Sequence, residues 1–76
     1  MKQLSPQKAQ ELMMLHQQGN IKAAGEMAIK LLKDYPKELL LHNILGVYQE
    51  AQGNLEEAAI SYQNAININP NIPELQ

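Results

Sequence analysis

Apolar residues recur along this chain at i, i+3, i+4 and i+7, the spacing that lines one face of an α-helix. Ile21, Ala24, Gly25, Ala28, Leu31 and Leu32 form one such stripe. Leu55, Ala58, Ala59, Tyr62, Ala65 and Ile66 form another. Between them lies a segment that is apolar on two adjoining sides. Leu41, Ile44, Leu45 and Tyr48 make one side, and Leu40, Ile44, Val47 and Ala51 the other. A helix flanked on two faces is what a stacked helical array requires of its middle members. Strict apolar–polar alternation is confined to Ile66-Asn67-Ile68-Asn69, at a helix end, so no strand is predicted.

The breakers set the boundaries. Ser5-Pro6 reads as an N-cap followed by the first helical residue, where proline's missing donor costs nothing. Gly19 and Gly53 supply left-handed helix stops, and the asparagine after each is placed to cap the next helix. Tyr35-Pro36 and Asn69-Pro70 end the second and fourth helices, because a residue before proline avoids helical geometry. The predicted helices are 6–18, 21–33, 37–52 and 55–67. Shifting the sequence by 34 positions places Gln18-Gly19-Asn20 on Gln52-Gly53-Asn54, Ala24 on Ala58 and Pro36 on Pro70, and aligns the two apolar stripes. A fixed register of this length marks an internal repeat, each copy a pair of helices.

These residues resemble the tetratricopeptide repeat, a helix–turn–helix unit of 34 residues. Leu45-Gly46, the turn glycine Gly53, the small–aromatic–small set Ala58, Tyr62 and Ala65, and the closing Pro70 carry the likeness in the second copy. The first copy keeps Gly19, Ala24 and Pro36 but has Leu12 and Ala28 at the family's glycine and aromatic positions. His42 and Gln49 stand where the family often has Trp and Tyr, with Tyr48 one residue before the latter. The resemblance implies an all-α fold of tandem helix-turn-helix repeats in a solenoid. It implies a single domain over 1–76, with one repeat at about 5–38, a second at about 39–72 and a truncated third repeat or capping stub at 73–76.

Composition narrows the function. The chain has no cysteine, which removes disulfide scaffolds and thiolate metal sites. His16 and His42 lie on different helices without a converging carboxylate cluster, so no metal and no cofactor is expected. The serines are Ser5, which reads as a cap, and Ser61, which reads as lying off the core stripe. Neither has a base and orienting group beside it, so no catalytic residue and no enzyme activity is expected. The net charge is −2 with no arginine, which argues against nucleic acid. No apolar run is long enough to span a bilayer, and no leader is apparent, so a cytoplasmic location is expected.

What remains is a surface. Solenoids bind extended peptides or partner helices on the concave face made by the first helix of each unit. Carried over position by position, the resemblance implies a peptide groove at Pro6, Ala9, Met13, His16 and Gln17, and at Leu40, Asn43, Val47, Glu50 and Ala51. Met13 and Ile44 replace asparagines with which some family members grip a C-terminal carboxylate, so a neutral or apolar peptide is the expected ligand. The first alternative is a homo-oligomer. Two copies fall short of the ~3 repeats that usually seal such a core, leaving Ile66, Ile68, Ile72 and Leu75 to self-associate. The second alternative, also implied by the resemblance, is the N-terminal arm of a larger bacterial transferase.

Overall fold

The computed structural model describes residues 4–68 as four α-helices: α1 (Pro6–Gln17), α2 (Ile21–Leu32), α3 (Leu39–Ala51) and α4 (Leu55–Ile68). Each packs on the next in chain order, α1 on α2, α2 on α3 and α3 on α4. The result is two helical hairpins stacked side by side, the all-α repeat architecture that the periodicity predicts.

Local chemistry builds the hairpins. Ser5 has extended backbone and its Oγ accepts from the Lys8 amide at 3.2 Å, with Pro6 in the first turn. Gly19 and Gly53 adopt φ of 79° and 84°, the left-handed region that glycine enters without a Cβ penalty. Around each, the same backbone bonds form. Gly19 N donates to His16 O at 3.1 Å and Asn20 N to Leu15 O at 2.9 Å, while Gly53 N donates to Glu50 O at 3.0 Å and Asn54 N to Gln49 O at 2.9 Å. This pair of bonds is the Schellman closure, which satisfies the last carbonyls of a helix. The 34-residue register of the sequence is therefore also a register of backbone hydrogen bonds.

Three local expectations are corrected. Asn20 occupies the N-cap position of α2, but its side chain makes no capping bond. Its backbone sits at φ −83°, ψ 64°, outside the extended geometry that aims a cap oxygen at the first turn. α3 begins at Leu39 and not at residue 37. Pro36 and Lys37 form a turn that the Glu38 amide closes onto Tyr35 O at 3.2 Å, which makes Glu38 the N-cap. Ser61 is buried at 4% exposure, not off the core, and donates to Gln49 Oε1 at 2.6 Å.

The main core gathers Leu12 of α1, Ala24 and Ala28 of α2, and Leu41 and Ile44 of α3. Small residues on α2 let α3 approach closely. A Cβ at Gly25 would stand 2.1 Å from the Tyr48 ring, so the Tyr48 side chain fills the space that a side chain would occupy. The next layer repeats the device, with Gly46 of α3 beneath the ring of Tyr62.

Candidate functional site: the faces of the first helices

The ten residues of the expected groove fall on one arc of each first helix. At about 100° per residue, Pro6, Ala9, Met13, His16 and Gln17 share one side of α1. Leu40, Asn43, Val47, Glu50 and Ala51 share the corresponding side of α3. On α3 that arc lies between two packed faces. Leu41, Ile44 and Tyr48 are turned toward the first hairpin, and Gly46 and Gln49 toward α4.

Met13 and Leu40 are both half-buried and each packs against the main core cluster. Ala9, His16, Asn43 and Val47 are also half-buried, while Pro6, Gln17, Glu50 and Ala51 are exposed. The two copies are tied at their starts, where the Leu4 amide donates to Glu38 Oε1 at 3.4 Å. Polar atoms are few. The Nδ1 of His16 is buried without a hydrogen-bond partner. Glu50 accepts from the Tyr62 hydroxyl at 3.1 Å, which brings an α4 side chain to the edge of the surface.

Tyr62 was not legible as part of this surface. Its sequence signal is its pairing with Gly46, which admits the ring against α3. Burial, then the hydrogen bond to Glu50 and the charge of that carboxylate, push its pKa above the ordinary 10.0. The fold thus favours the neutral phenol. Tyr62 costs no stability below pH 10.0, and stability falls as pH rises through the raised value. Thermal melts across the alkaline range should show this loss, and Tyr62→Phe should reduce it. An identical alkaline slope in the variant would contradict the assignment.

A second concavity lies elsewhere. Pro36, Lys37, His42, Asn64, Asn67 and Ile68 line an open cleft of about 530 Å³. His42 Nε2 donates to the Pro36 carbonyl at 2.8 Å. A carbonyl only accepts, so the Nε2 carries the proton, and the buried Nδ1 has no partner. In this way the residue standing at the family's Trp position ties α3 to the closing proline of the first copy. Among the described residues, no group of three His, Cys, Asp or Glu is placed to hold a metal ion. No helix among them is long and apolar enough to cross a membrane. Of the four residues expected to self-associate, Ile66 and Ile68 are exposed on α4, while Ile72 and Leu75 lie outside the described residues.

Paired helices, Schellman turns in a fixed register and small-on-aromatic contacts between layers define a helical-hairpin repeat protein. Residues 40–72 match the family model of the tetratricopeptide repeat. The second copy thus matches a tetratricopeptide repeat, and the four-helix, all-helical array fits a repeat of that type. No curated protein and no solved structure matches the chain. A repeat of this family points to a protein–protein interaction module, and such domains are generally non-catalytic scaffolds.

Proposed function

We propose that the chain is a non-catalytic interaction module that binds a short neutral or apolar peptide segment across α1 and α3. The observation that carries this reading is the half-buried group of Met13, Leu40, Asn43 and Val47. It offers apolar surface with one side-chain amide, and no cation to select an acidic terminus. Asn43 has both a donor and an acceptor for a peptide backbone. Two hairpins present a small area, so affinity should be about micromolar or weaker.

The test is a screen of the purified chain against an immobilised peptide library, followed by anisotropy titration of the best neutral binder. Met13→Ala, Asn43→Ala, Val47→Ala and Glu50→Ala are then compared. Losing contacts at Met13 or Val47 should weaken binding about tenfold, or ~1.4 kcal/mol. Unchanged affinity in all four variants rejects the assignment.

A further inference from the structure

α2 and α4 are the same element 34 residues apart, but among the described residues only α2 is covered. Its stripe Ile21, Gly25, Ala28 and Leu32 is buried or half-buried, with Tyr48 of α3 seated on Gly25. The matching stripe on α4 is Leu55, Ala59, Tyr62 and Ile66. Leu55 is 64% exposed and Ile66 39%, Ala59 is exposed, and Tyr62 is half-buried. The neighbouring turns show the same contrast. The cleft over Gly19, Asn20, Ile21 and Lys22 is lined on its other side by Tyr48 and Ala51 of α3 and by Gln52 after it. Its counterpart over Gly53–Glu57 is lined by those five turn and helix residues alone.

We propose that this stripe is a homodimer interface, in which α4 packs antiparallel on α4 of a second copy about a two-fold axis. The stripe is self-complementary in that arrangement. An axis opposite the midpoint between Ile60 and Ser61 sets Leu55 against the partner's Ile66 and Ala59 against the partner's Tyr62. Large aliphatic residues meet at both ends, and an aromatic ring meets a small residue on each side of the axis. The chain already uses ring-on-small contact twice, at Tyr48 on Gly25 and Tyr62 on Gly46.

Charge selects the direction. The first turn of α4 holds Glu56 and Glu57 and the helix has no lysine. A parallel pairing would bring four carboxylates together, whereas the antiparallel one keeps them at opposite ends. Head-to-tail stacking of α4 on the partner's α1 is disfavoured by the face α1 offers. Where α3 places Leu41 and Ile44 in the core shared with α2, α1 has Gln7 and Gln10, both exposed. An isologous contact also closes on itself, so assembly stops at two. The helix is about 21 Å long, and one helix pair buries less than the ~1,600 Å² of a standard interface. The dimer is therefore weak and concentration-dependent. This inference is independent of the peptide groove.

The experiment uses light scattering over a hundredfold concentration range together with single-cysteine variants, which are clean because the chain has no cysteine. The wild type should shift from monomer toward dimer as concentration rises. Leu55→Glu should weaken that shift at least tenfold without lowering the melting temperature, since Leu55 is mostly exposed. Ala59→Cys, next to the axis, should oxidise to a disulfide-linked dimer several times faster than Ile60→Cys on the opposite side of α4. Three results overturn the proposal. A strict monomer at every concentration leaves residues 69–76 or a helix of another protein to cover the stripe. Equal oxidation of the two variants removes the axis. Faster cross-linking of a Met14→Cys and Ala59→Cys mixture than of Ala59→Cys alone makes the contact head-to-tail.

Discussion

Leu41→Ala should lower the melting temperature by at least about 10 °C, the largest single-residue effect expected in this chain. Leu41 and Leu12 are the largest fully buried side chains among the described residues. Truncating such a leucine costs ~2–5 kcal/mol, from lost transfer energy and the cavity left behind. At ~0.05–0.15 kcal/mol per residue a domain of this length holds only about 4–11 kcal/mol in all. In domains of this size each kcal/mol moves the midpoint by roughly 4–8 °C. Leu41 is the more informative of the two because it belongs to α3 yet packs in the cluster of α1 and α2. It bridges the two hairpins, so its loss weakens the stacking as well as one unit. Circular-dichroism melts of Leu41→Ala, with Ile60→Ala at a 61% exposed position as control, test this directly. A shift no larger than that of the control would mean the hairpins do not share one core.

Backbone turns were the most legible part of the fold. Gly19 and Gly53 stop their helices through a property of glycine itself, and Ser5-Pro6 starts α1 through bonds within a few residues. Asn20 shows where such reasoning ends. The residue type suits a cap, but the Schellman bond from its amide to Leu15 fixes its backbone first. Nothing in the local sequence separates Lys37 from α3, but the turn at Pro36 and Lys37 redirects the chain before the helix begins. Ser61 reads as lying off the core stripe because its partner, Gln49, is on another helix. Periodicity likewise grouped Leu55, Ala59 and Ile66 onto one face of α4. It could not show that none of the described helices lies over that face, since spacing identifies residues that share a side and is silent about what sits opposite. The groove residues divide in the same way. Their shared arcs on α1 and α3 follow from 3.6-residue geometry, whereas the reach of Tyr62 to Glu50 depends on how α4 packs.

Gly25→Ala should destabilise the chain by about 1–3 kcal/mol, the usual cost of overpacking, even though alanine is the better helix former by ~1 kcal/mol. The opposing terms can be compared at this site. The new Cβ would lie 2.1 Å from Tyr48 Cγ and 2.5 Å from Tyr48 Cβ. Those atoms are the root of the side chain, so the clash is not relieved by swinging a flexible tip. Either α3 moves away from α2 or Tyr48 leaves its rotamer, and both loosen the contact beside the fully buried Ala28. Gly46→Ala is the internal comparison. There the nearest atoms are Cε1 and Cδ1 of Tyr62 at 2.6 and 2.8 Å, farther out on the ring, so a small ring movement recovers more of the cost. The expected order of melting temperatures is wild type above Gly46→Ala above Gly25→Ala. Adding Tyr48→Leu should restore part of the loss at Gly25→Ala, because it removes the atoms that collide. Ala59→Gly, the same register position on the uncovered face of α4, should show only the helix-propensity penalty. If Gly25→Ala instead raised the melting temperature, propensity would outweigh packing at this seat, and the close approach of α3 to α2 would not be what fixes the stacking of the hairpins.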